Sequence, residues 1–253
     1  MSLTSMLAGK NTHELEFQKI VRGILPSKQD FYTLTGHTPF SKEYAALVPY
    51  QLPNPYYASV VGTAFDYLAR LMVAKKINNN KEMAYTNLAA QKGLKILEKH
   101  LDHRTFKALD HKFACGLKYF KKYVAEKGNL SSILATACYC AKLEHIARSG
   151  MPPIDIETSL LHEPPDEILY DLERLFFIFD NVFIQSNLVK QDSTVIFNPT
   201  FGTIISLCIG GADADIYIDG TIYDFKTTKN FGYKWQDIAQ IIGYYLLYLA
   251  ALA

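Results

Sequence analysis

The chain has 253 residues, 49% of them hydrophobic and 20% charged, with a formal net charge of +1. That composition excludes a disordered or low-complexity chain, and the length suffices for one sizeable core. A balanced charge argues neither for nor against a polyanionic partner, so any basic surface has to be local.

In chain order, the opening MSLTSMLAGKNTHE lacks the apolar stretch of a signal peptide, and its Met-Ser-Leu is compatible with a cloning scar. Residues 12–23 read as a short helix. Residues 24–56, rich in Pro, Tyr and Thr, hold no sustained period and read as a long irregular segment. ASVVGTAFDYLARLMVAKK, from Ala58 to about Lys76, carries apolar residues at helical spacing. Residues 81–100, 103–126 and 129–149 predict three more amphipathic helices. Gly128-Asn129 separates the last two, and Gly150-Met151-Pro152-Pro153 ends the third. After a Pro-rich break a further helix starts at about Pro165. Composition then turns to Ile, Thr, Val, Tyr and Phe over residues 193–228, which is strand sequence. From Tyr233 one helix runs on to the end. The order predicts one α/β domain over residues 1–253, a small sheet flanked by helices, with a large helical insertion at about 80–190. No run of eighteen apolar residues reads as a membrane span.

The four cysteines, Cys115, Cys138, Cys140 and Cys208, match no zinc spacing and read as free, buried thiols of a reducing cytosol. Cys138 and Cys140 are expected on different sides of their helix. The seven histidines are scattered; His100 and His103 read as surface or capping groups.

The informative stretch is GGADADIYIDGTIYDFKTT, residues 210–228. Asp219-Gly220 between two apolar-rich runs predicts a two-residue type I′ hairpin. Ile218 then faces Thr221, Asp215 faces Asp224 and Asp213 faces Lys226. Side-chain alternation puts Asp213, Asp215, Asp224 and Lys226 on one face beside Tyr217 and Ile222, and Ile216, Ile218, Tyr223 and Phe225 on the other. Three neighbouring carboxylates repel one another. A solvated hairpin face, with Lys226 partly offsetting the acids, is the plain alternative. A divalent cation resolves the repulsion, since Mg²⁺ takes a few carboxylates together with water and phosphate oxygens. The adjoining ammonium of Lys226 would orient the attacking water or stabilise charge developing on a phosphate.

Asp213 followed by Asp224-Phe225-Lys226 resembles the D…(D/E)xK signature of the PD-(D/E)XK nuclease superfamily. Gly210-Gly-Ala-Asp213 is similar to the GxxD of its RecB-type exonuclease branch, Asp224-Phe-Lys-Thr227 to its DxKT, and Gln240-Ile-Ile-Gly-Tyr244 to its QxxxY. Gln240 and Tyr244, four residues apart, share a helix face, and Gln236 extends that stripe. Gly62-Thr-Ala-Phe-Asp66 resembles the upstream GxxxH motif, with Asp66 where the histidine is expected; a surface acid on the helix is the even alternative. The resemblance covers Ala58–Leu71 and Gly210–Tyr248.

The resemblance implies a restriction-endonuclease-like core and a metal-dependent deoxyribonuclease, a RecB-like exonuclease, with DNA repair among its possible settings. Asp213 and Asp224 would hold Mg²⁺ or Mn²⁺, with the Phe225 carbonyl, Asp215 and Asp66 as further ligands or supports. Lys226 would position the water, and Gln240 and Tyr244 would meet the substrate backbone or the water network. Lys229, Lys234 and Trp235, with Gln236, make a basic and aromatic stretch for single- or double-stranded DNA. Some relatives hold an iron–sulfur cluster through three cysteines after the QxxxY helix. This chain has none after Cys208, so no cluster is expected. The superfamily core also usually has a strand after that helix, and this sequence stops in LYLAALA. The rival reading is a non-catalytic module of the same fold that binds nucleic acid or partners a helicase or recombination protein.

Overall fold

The structure is a computed structural model and describes residues 3–33, 36–41, 52, 55–125, 128–200, 214–228 and 232–252. It is mixed α/β and mostly helical, with a small three-stranded antiparallel sheet in the order β1-β2-β3. Among the described residues no helix is long and apolar enough to cross a membrane. The chain packs as two compact units, residues 1–46, 198–224 and 228–253 forming one, residues 47–197 and 225–227 the other.

The first unit holds α1 (Leu3–Ala8), α2 (Thr12–Ile24), the hairpin strands β2 (Ile216–Ile218) and β3 (Thr221–Tyr223), and α8 (Trp235–Leu252). Helix α2 begins where Asn11 and Glu14 cap each other: the Glu14 amide donates to Asn11 Oδ1 and the Asn11 amide to Glu14 Oε2, both at 2.9 Å. Gln18 ties α1 to α2, donating to the Met6 and Gly9 carbonyls at 3.1 and 2.8 Å. Leu3, Leu7, Val21, Ala214, Ala239 and Tyr244 form the core, against which Phe17, Ile222 and Trp235 pack. Leu3 is thus a core residue at 4% exposure.

The hairpin has the expected turn. Asp219 and Gly220 have φ of +45° and +91°, and Ile218 pairs with Thr221, Tyr217 with Ile222 and Ile216 with Tyr223. The ladder ends there, one pair short of the Asp215–Asp224 pairing expected from sequence. Asp215 sits in a bend, and its carbonyl accepts the Asn198 amide at 3.1 Å. Ile216 and Ile218 are buried as expected, but Ile222, assigned to the open face, packs on the helical core as well.

The second unit holds α3 (Pro55–Lys76), α4 (Ala90–His100), α5 (His103–Val124), α6 (Leu130–Ser149), α7 (Asp166–Val182) and β1 (Val195–Phe197). The helix expected over 81–100 divides into a 3-10 turn at Lys81–Ala84 and α4. Left-handed Asn87 interrupts it, and the Glu82 carbonyl accepts the Tyr85 amide at 3.1 Å and the Thr86 hydroxyl at 2.9 Å. Asp102 caps α5 through the Arg104 and Thr105 amides at 2.9 and 3.1 Å. Helix α6 is central, packed against α3, α4, α5 and α7. It is therefore apolar nearly all round, and its one buried acid, Glu144, accepts from the Tyr67 hydroxyl at 2.7 Å and from Arg148.

That central position accounts for Cys138 and Cys140. They leave α6 in different directions, yet both are fully buried because every side of the helix is covered. Burial pushes the Cys138 thiol up to about 12 and also raises that of Cys140. Both should therefore stay protonated and unmodified when the native protein meets iodoacetamide at pH 8, and become carbamidomethylated only after denaturation. Peptide mass spectrometry reads the outcome, and native-state labelling at either position would contradict the packing.

Candidate functional site

The two halves of the sequence signature fall in different units and are described separately. In the second unit, Phe225–Thr227 lies against the side of α3 that carries Gly62 to Asp66. The Phe225 ring meets Phe65 edge-to-face at 6.4 Å, Phe179 at 5.0 Å and Phe183 at 5.2 Å between centroids. Phe179 also meets Phe65 at 5.4 Å, so three adjoining rings clamp the segment through Phe225. A Cβ placed on Gly62 would lie 3.0 Å from the Thr227 hydroxyl oxygen. The absence of a side chain at Gly62 is what allows Thr227 so close to the helix. Asp66 stands one turn after Gly62 and so shares that face. It is half-buried, between Phe65 and Tyr67. Lys226, between the clamped Phe225 and the close-packed Thr227, is exposed.

Two motifs separated by about 160 residues thus come together in one unit: the glycine-to-aspartate turn of α3 and the end of the DFKT segment. The family resemblance supplied both motifs. Their packing partners, Phe179 and Phe183, and the Thr227–Gly62 approach had no signal in the sequence beyond the aromatic richness of LFFIFDNVF.

In the first unit, Asp224 follows directly after β3 and is half-buried, as is Asp215. Gln240 and Tyr244 lie one turn apart on α8, and the Gln240 amide donates to the Tyr244 hydroxyl. Tyr244 is 2% exposed within the core. Its ring therefore anchors α8, while its hydroxyl fixes the Gln240 side chain. Gln236 is exposed. The Arg22 guanidinium lies 4.0 Å over the Trp235 ring, which also packs against the core of this unit. Lys234 donates to the Thr228 hydroxyl at 2.9 Å, which draws the chain after the DFKT segment back toward the start of α8.

Asp213 and Lys229 lie outside the described residues. Among the described residues, no group of three or more His, Cys, Asp or Glu side chains is placed to hold a metal ion. The donor chemistry that remains, carboxylates and a main-chain carbonyl, is the hard-oxygen kind that suits Mg²⁺ or Mn²⁺. No protein-family model, no curated protein and no solved structure matches the chain.

Proposed function

We propose that the chain is a metal-dependent nuclease with a restriction-endonuclease-like core, hydrolysing DNA phosphodiester bonds as a RecB-like exonuclease. The observation that carries this reading is the meeting, within one unit, of the Phe225–Thr227 segment with the Gly62–Asp66 face of α3. A solvated hairpin end has no need of such a clamp. An enzyme that must hold one lysine at a fixed place does.

In this reading Asp213 and Asp224 hold Mg²⁺ or Mn²⁺ with help from the Phe225 carbonyl. Asp66 and Asp215 are the further acids available. The ion supplies Lewis-acid activation of water and neutralises phosphate charge. Lys226, exposed beside the clamped ring, orients the attacking water and offsets charge gathering on the phosphate. Gln240, steered by the buried Tyr244, meets the substrate backbone. Gln236, Lys234 and Trp235, on α8 or just before it, extend that contact together with Lys229.

The purified chain should degrade end-labelled DNA in Mg²⁺ or Mn²⁺ and leave it intact in EDTA. Gels of single-stranded and duplex substrates check this; laddering from one end identifies an exonuclease and discrete internal products an endonuclease. No metal-dependent cleavage of either DNA would remove the proposal.

A further inference from the structure

The near-zero net charge conceals a strong segregation. Residues 75–122 hold twelve lysines and arginines against four acids, while the rest of the chain holds fourteen against twenty-one. The whole excess lies in the helical body of the second unit. On α5 it is ordered further. Arg104, Lys107, His111, Lys118 and Lys122 are all exposed. At 100° per residue they fall within about 60° of one another, in a row about 27 Å long. The opposite face of α5 is the buried one, carrying Leu109, Phe113, Phe120 and Val124. No acid stands in the row; Asp102 precedes it and caps the helix, and exposed Asp110, three residues after Lys107, stands about 60° outside it. Helix α4 repeats the pattern with exposed Lys92, Lys95 and Lys99.

Two plain explanations fall short. Cations in the last turn of a helix favour its dipole, which accounts for Lys122, but Arg104 in the first turn opposes it. Internal ion pairing accounts for Lys112, which donates to the Leu161 carbonyl at 2.9 Å and approaches Glu163 at 3.8 Å, but that residue lies outside the row. Among the described residues, Arg104, Lys107, Lys118 and Lys122 form no ion pair. Like charges spaced three and four apart disfavour the helix that bears them. The row persists with no ion pair among the described residues and with Asp110 as the one acid beside it on the helix, and this is what a surface built for an external polyanion requires. Tyr119, 42% exposed, stands about 60° outside the row on the side away from Asp110 and offers a ring to a base.

We propose that the Arg104–Lys122 face of α5 is a track for the phosphate backbone of single-stranded nucleic acid. Its straight spacing suits a flexible strand, and Tyr119 adds a stacking platform of the kind such sites use. The inference deepens the nuclease reading and rests on it for the choice of nucleic acid over other polyanions.

The test is fluorescence anisotropy with a labelled 30-nucleotide strand in EDTA, over 50–300 mM KCl, so that binding is read without cleavage. The triple substitution K107Q/K118Q/K122Q keeps good helix formers. It should weaken binding at least tenfold at low salt and reduce the salt slope by about 2, given about 0.7 per single-strand phosphate contact. K10Q/K19Q/K190Q, which removes the same charge from exposed lysines elsewhere, should leave the slope unchanged. Equal effects of the two triples, an unchanged slope in the first, binding of duplex to the exclusion of single strand, or capture of anionic phosphatidylserine vesicles in place of DNA would each overturn the proposal. An unaffected slope alongside intact Mg²⁺-dependent cleavage would sink the track alone. A normal track without any cleavage would sink the nuclease reading alone.

Discussion

Lys226→Ala is expected to lower the single-turnover rate of Mg²⁺-dependent DNA cleavage by about 10³-fold or more, about 4 kcal/mol of transition-state stabilisation. The residue is exposed, so its loss should shift the melting temperature by no more than about 2 °C. Its ammonium is not a metal ligand, so Mn²⁺ affinity measured by calorimetry should stay within about twofold of the parent. Asp224→Asn is the contrasting variant, expected to lose metal affinity and cleavage together, because a neutral amide is a much poorer donor for a hard cation. Parental cleavage by Lys226→Ala would remove this side chain from the mechanism.

How far the sequence discloses this arrangement depends on the range of the interaction concerned. The hairpin is local: Asp219-Gly220 demands two positive φ angles, and the structure has them, with the register that follows. Helix starts at Asn11, Asp102 and Asn129 are equally local, since one side chain satisfies the orphan amides of its own first turn. Reasoning from alternation fails where a tertiary bond intervenes. Asp215 leaves the ladder because its carbonyl accepts from Asn198, a residue well upstream. The short α1 escapes a reading by periodicity because six residues are too few to display one, and it owes its stability to burial of Leu3 and Leu7. The cationic row on α5 is visible once burial shows which face is outward; in one dimension it is diluted by apolar residues at every third or fourth position. The family resemblance singled out Gly62 and the DFKT segment, though it could not supply the aromatic cluster against which Phe225 packs.

That cluster makes Phe225→Ala the second large effect. The Phe225 ring is only half-buried, yet it has three edge-to-face partners, at 5.0, 5.2 and 6.4 Å, from α3, from α7 and from the residue just after α7. Truncation should cost about 2–3 kcal/mol, below the range for a fully buried phenylalanine, and lower the melting temperature by about 5–10 °C. The consequence for activity is separate. Phe225 touches no substrate in the proposed mechanism; it is a positioning residue for Lys226, the next residue along, and without the ring the segment is held only by Thr227 against Gly62. At a temperature well below unfolding, kcat should therefore fall at least tenfold while KM changes little, since a displacement of about 1 Å near the reacting atoms is costly. Phe225→Leu should restore most of both, because it refills the cluster without needing the ring edges. A destabilised Phe225→Ala with parental kcat would mean that Lys226 is held in place by something other than the aromatic clamp.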